Sequence, residues 1–371
     1  MKKKVRIWIR RCNMEPIENV IGKNKTRQSN IEALRLLSML MVLNLHSFWG
    51  YDHGAGIGQA LDFFRESTSI CAVNVFLLIS GYFGIKWKWK SFYNLVFQIL
   101  FYSFGVYMVS CIIGVVDFSI DAFISNLKGL YASWGFITGY VLLYFCAPFL
   151  NAFIDKTENK QIFTTLIIIW FAENFICRGA VYLNYGLLYI IGRFLAKAQC
   201  VNKLPIKASR NYWLTTFFIF AIVYILFKFA NIKDAETMTK IIIGYSYAAP
   251  LVILQAVFLF IAFARMQFTN KFINWCASSC LAIFLIHMHP AIKQIGFYSI
   301  TESFYNLPVL QHILYLSLLI TCVFFVCILI DKIRIIISDF VYLIMDKILS
   351  FIPAKLLQIY TYLPKSLKKI L

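Results

Sequence analysis

The sequence predicts an all-α protein, a polytopic membrane helix bundle of about ten transmembrane helices, and three observations carry that prediction. Of 371 residues, 60% are hydrophobic and 14% charged, too little polar surface to cover a water-soluble globule of this size. The mean hydropathy is +0.72. Ten apolar stretches, each long enough to cross a bilayer with some tilt, follow one another along the chain.

The first stretch, 31–49, follows a basic segment over 1–30 that carries Lys2, Lys3, Lys4, Arg6, Arg10 and Arg11. No small-residue cleavage site follows it, so it reads as a retained first span and not a removed signal peptide. The second, 70–85, leads into three lysines that alternate with tryptophans. The third and fourth cover 92–116 and 134–154. The fifth and sixth, 161–177 and 181–196, are short enough to be re-entrant or tilted. Spans over 212–230, 246–264, 278–296 and 310–330 complete the set, making 31–332 one membrane domain. Beyond it, 333–371 keeps an apolar character broken by charges, Pro353 and Pro364, the pattern of an amphipathic, surface-lying cytoplasmic tail.

The 36 basic residues outnumber the 17 acidic ones and give a formal charge of +19. In a soluble protein that excess would suggest nucleic acid. Here the basic residues sit in short loops and at the chain ends, where the positive-inside rule puts them, so the partner is the anionic lipid surface and not nucleic acid. Lys86, Lys88 and Lys90, then Lys197, Lys203, Lys207 and Arg210, then Arg265 and Lys271 fall on the cytoplasmic side. The loop holding Asp52, Asp62 and Glu66 falls outside, and both termini are cytoplasmic. The ten cysteines lie mostly inside apolar runs without metal-ligand spacing, so they read as small buried hydrophobes and no metal site is expected.

Ionisable groups cost roughly 2.5–3.5 kcal/mol at a span centre, so those retained in spans are functional candidates. In IEALRLLSMLMVLNLH, Arg35 stands at the cytoplasmic end and His46 near the outer end. Eleven residues of helix bring them back to within roughly 20° of one face, about 16 Å apart along the axis. A near-neutral imidazole suits a general base, and a guanidinium suits a phosphate or carbonyl oxygen. Each residue also has a plainer reading, Arg35 snorkelling to headgroups and His46 bonding a neighbour at the interface.

In the second span, Asn74 and Ser80-Gly81-Tyr82-Phe83 lie in a thin apolar wall; close helix packing at Gly81 accounts for the latter. Lys86, Lys88 and Lys90 either anchor the span in a tryptophan belt or meet the phosphates of a cytoplasmic anionic donor. Glu173 and Arg178 are spaced to pair across about one helical turn. His287 and His289, two apart on a helix, point to different sides and do not form a metal pair. His53 and His312 read as solvated residues of outer loops. No phosphate-binding P-loop, GxSxG elbow or HExxH helix is present, which removes ATP-driven, serine-hydrolase and zinc-protease explanations.

With these residues in place, the chain resembles the acyltransferase-3 family of bacterial membrane acyltransferases. The resemblance rests on Arg35 and His46 with ten residues between them, on NVFLLISGYF (74–83), on WGFITGYVLLYFCAPFLN (134–151) and on SSCLAIFLIHMHP (278–290), segments spread from the first span to the ninth. It implies an O-acyltransferase of the bacterial cytoplasmic membrane. The donor would be acetyl-CoA or another acyl-CoA, with no tightly bound cofactor, and the acceptor a hydroxyl of a surface polysaccharide or its lipid-linked precursor. Carried onto matching positions, His46 becomes the catalytic base and Arg35 a donor-binding or site-organising cation. Lys86, Lys88, Lys90, Asn74 and Ser80 are candidate donor contacts, and His287, Tyr140 and Glu173 complete the candidate residues. One departure lies at the three lysines, where many relatives carry arginines; lysine lacks the bidentate fork. From another class, a transporter or flippase of a lipid-linked glycan would also line its path with polar residues.

Overall fold

A computed structural model describes residues 28–47, 57–125, 135–177, 181–198, 200–203, 205–229 and 246–351. The basic segment 1–27, Asp52, His53, Arg178, Pro353 and Pro364 therefore lie outside the described residues. The chain divides into a main unit, Asn24–Ile328, and a second unit whose described part is Leu329–Phe351.

Helices account for the regular structure, and no strand occurs among the described residues. In chain order they are α1 (Ser29–His46), α2 (Ile57–Ser69), α3 (Ala72–Phe83), α4 (Trp89–Ile112), α5 (Gly135–Lys156), α6 (Asn159–Phe171), α7 (Val181–Lys197), α8 (Ala208–Phe229), α9 (Pro250–Ala264), α10 (Lys271–Ala277), α11 (Cys280–His287) and α12 (Val309–Phe351). Each of the ten expected apolar stretches contains one of them. By length and composition five are able to cross a membrane: α2 with α3 taken together, the greater part of α4, α5, α8 and α12 up to Phe340. The remaining expected spans rest on shorter apolar helices such as α9 and α10–α11.

Local chemistry sets the boundaries. Gly84 closes α3 with φ 69°, a left-handed value that glycine adopts without strain. Pro250 opens α9 where its missing N–H costs nothing. Asn270 caps α10 by accepting from the Ile273 N–H at 3.0 Å. In the ninth span α11 ends at His287, just before His289-Pro290, because a residue preceding proline is pushed out of helical geometry.

Two expectations change. Asp62 and Glu66 do not sit in an open outer loop: both belong to α2, which runs into α3 with only Ile70 and Cys71 between. His312 is not a solvated loop residue either; it lies on α12 and is buried beside Asp62. Charge made both look like surface positions, yet Asp62 is paired by Arg65 within α2 and meets His312 from far along the chain.

Lipid is as apolar as a leucine core, so close packing and interhelical hydrogen bonds hold the bundle together. Gly81 on α3 lies against the carbonyl of Tyr189, and Gly192 on α7 against that of Leu78; a Cβ at either glycine would overlap the facing backbone. This pair of notches lets α3 and α7 approach backbone to backbone. Elsewhere Gln255 Nε2 donates to the Ser67 carbonyl at 2.8 Å and to Thr216 Oγ1 at 2.7 Å, joining α9, α2 and α8. Outward-facing side chains such as Phe149 and Leu310, 78% and 79% exposed, face lipid.

In the second unit the described residues are helical to Phe351, and Arg334 pairs with Asp331 at 2.8 Å.

Candidate active site

The last turns of α1 and α11 bring two histidines together. His46 Nδ1 lies 2.8 Å from His287 Nε2, with ring centroids 5.1 Å apart and planes inclined by 40°. His287 Nδ1 lies in turn 2.5 Å from the Ile283 carbonyl one turn back along α11. His287 is 3% exposed, whereas His46 keeps an accessible edge. Phe284 stands against both rings and Phe297 against His287.

The two helices run side by side in the same direction. Cys280 Sγ reaches the Arg35 carbonyl at one end of the pair, and the histidines meet at the other. Arg35 is therefore well away from the histidine pair. Its guanidinium pairs with Glu32 at 3.5 Å and remains 37% exposed.

A polar clamp fixes the turn that carries His46. Arg65 on α2 donates through Nη1 to Asn44 Oδ1 at 3.0 Å and to Ser47 Oγ at 2.8 Å. Its Nη2 lies 3.3 Å from Asp62 and 3.4 Å from the Tyr305 hydroxyl. Tyr305 donates to the Ser47 carbonyl, and His312 Nε2 lies 3.4 Å from Asp62. Sequence reasoning missed this cluster. The one local signal was the Asp62/Arg65 spacing, which places opposite charges on one helix face.

One face of α5 joins the histidine pair to the loop that carries Lys86 and Lys88. Phe136 meets Phe284 with centroids 5.7 Å apart, and Tyr140 stacks on Phe136 and lies 3.4 Å from Ser80 Oγ. Further down, the Tyr144 hydroxyl exchanges hydrogen bonds with the backbone of Lys88, and Asn151 Nδ2 donates to the Ile85 carbonyl at 2.9 Å. Tyr189 OH accepts from the Ile85 N–H at 2.9 Å and donates to Asn151 Oδ1 at 2.8 Å. The loop after Gly84 is thus held by its backbone, leaving the side chains of Lys86 and Lys88 exposed. Lys90 lies in the first turn of α4; its side chain lies outside the described residues.

The other candidates separate. Asn74 is fully buried and donates to the Tyr247 carbonyl at 2.8 Å, with no hydrogen-bond partner for Oδ1 among the described residues. Glu173 lies in a π-helical turn, Ala172–Ile176, at the end of α6 and is 7% exposed. His289 Nε2 donates to the Ser103 carbonyl at 3.0 Å and its Nδ1 accepts from Ala291 N–H at 3.2 Å. One nitrogen ties the turn after α11 to α4 and the other holds that turn closed, a structural use of both.

A helical membrane bundle with a partly buried, paired imidazole in the last turn of its first helix defines a membrane-embedded enzyme scaffold. Residues 28–332 match the family described as acyltransferase domain, and the chain belongs to this acyltransferase-3 family. It is a multi-pass membrane acyltransferase. No curated protein and no solved structure matched it.

Proposed function

We propose that this acyltransferase moves an acyl group, in the simplest case acetyl, from cytoplasmic acyl-CoA to a hydroxyl of a surface polysaccharide or its lipid-linked precursor, with His46 as general base. The observation that carries the reading is the His46–His287 pair: a partly buried imidazole, backed at 2.8 Å by a fully buried one. The acceptor oxygen attacks the thioester carbonyl carbon as His46 takes the hydroxyl proton. The C–S bond then breaks, and the departing thiolate recovers that proton from His46.

The face of α5 from Phe136 to Asn151, about 22 Å long, supports a donor anchored by its phosphates at Lys86, Lys88 and Lys90, with Arg35 as a further cation at the inner end. Its arm would pass Ser80, Tyr140 and Asn74 to reach His46. The enzyme sits in a bacterial cytoplasmic membrane with both termini inside, and the ten spans of the sequence reading complete the crossing.

Mass spectrometry of surface glycans tests this in the native host with the gene intact, deleted, and restored as wild type or His46→Ala at equal membrane abundance. An acyl increment that disappears on deletion and returns only with wild type is the expected result. If acyl content is unchanged, and glycan export falls on deletion but is restored by His46→Ala, the protein is a transporter instead.

A further inference from the structure

We infer that His287 is a positioning residue that sets the tautomer of His46 and thereby makes His46 Nε2 the proton-accepting atom; the inference rests on the acyl-transfer reading above. A carbonyl oxygen only accepts hydrogen bonds. The His287 Nδ1 that faces the Ile283 oxygen at 2.5 Å therefore carries a hydrogen and donates it. In the neutral resting pair His287 then has a bare Nε2. That atom faces His46 Nδ1 at 2.8 Å, and a single hydrogen must lie between the two, since two lone pairs or two N–H groups would repel at that separation. His46 donates from Nδ1, and its lone pair is left on Nε2.

The chain from carbonyl to His287 to His46 has a direction because it starts on the backbone of α11, which cannot exchange roles. Phe297 and Phe284 occupy the flanks of His287, so His46 is the member of the pair with an accessible edge. When His46 Nε2 takes the acceptor proton, the new imidazolium keeps its Nδ1–H bond to His287, and the charge spreads over two rings. Ring orientation, tautomer and charge stabilisation then come from one buried neighbour.

Nitrogen-15 NMR of the full chain in lipid nanodiscs, labelled at its five histidines and assigned with His46→Gln and His287→Gln, reads the tautomers directly. The expected spectrum has His46 and His287 both protonated at Nδ1 and bare at Nε2. A His46 protonated at Nε2 in the resting protein overturns the inference. With labelled acetyl-CoA and host membranes supplying acceptor, His287→Leu lowers kcat about 10²- to 10⁴-fold, the scale of a wrong tautomer, with donor KM within twofold. His287→Gln, which places an accepting oxygen near the lost Nε2, recovers at least about tenfold over the leucine variant. A leucine variant within twofold of wild-type kcat also overturns it. The NMR reading needs no turnover, so it fails separately from the acyl-transfer reading, which falls if wild type moves no acyl group.

Discussion

Arg65 on the second helix donates to Ser47 Oγ at 2.8 Å, one residue beyond His46. The same guanidinium holds Asn44 Oδ1, two residues before His46. The imidazole is thus bracketed by two anchors from a single side chain, and an error of about 1 Å in such a group can cost about 10²-fold in rate.

Arg65→Lys keeps the charge beside Asp62 but cannot serve Asn44, Ser47 and Tyr305 at once. We expect normal membrane abundance with kcat lowered about 10- to 100-fold, measured as acyl transfer per folded enzyme. Arg65→Ala leaves Asp62 buried without this guanidinium, and a loss of about 3–5 kcal/mol follows, visible as early unfolding in a detergent melt.

His289→Leu separates scaffold from chemistry. Removing its bonds to Ser103 and Ala291 is expected to cost about 1–3 kcal/mol of stability, while kcat per folded molecule stays within threefold. A drop in kcat matching that of His287→Leu would place His289 in the reaction.

Tyr189→Phe removes the hydroxyl that links Ile85 and Asn151. The backbone of the lysine loop loosens, while the His46–His287 contact is left in place. Donor KM is expected to rise about 3- to 10-fold with kcat unchanged, read from acyl-CoA titrations.

Gly81→Ala and Gly192→Ala force a methyl into a facing backbone carbonyl. Each is expected to destabilise by about 1–3 kcal/mol or more. Gly105→Ala, with nothing within 4 Å of the added methyl, serves as the control and leaves the melting temperature unchanged.

The membrane architecture was legible because an apolar run long enough to span a bilayer is a local property of the sequence; a helix occupies every stretch so identified. What escaped depends on partners far along the chain. His46 and His287 are 241 residues apart, and nothing local to either one reports the other. Asp62 read as part of an outer loop because His312, which lies 3.4 Å from it, stands 250 positions further along the chain. Glu173 and Arg178 had the spacing of a pair, but Glu173 lies in a π-helical turn and Arg178 is outside the described residues. The SGYF segment was legible in part: close packing at Gly81 followed from its size, whereas the reciprocal notch at Gly192 required the fold.

That reciprocity has a mechanical meaning. Gly81 receives a carbonyl from α7 while Gly192 receives one from α3, so the two rods key into each other in both directions. Sliding either by a single residue would drive a side chain into the opposing backbone. The lysine loop at the foot of α3 is therefore indexed to α7. An alternating-access cycle, in which bundles rock past one another, would have to carry α3 and α7 as one body. The membrane core at this crossing behaves as a fixed jig, suited to holding two reactants in register and ill suited to opening a path between them.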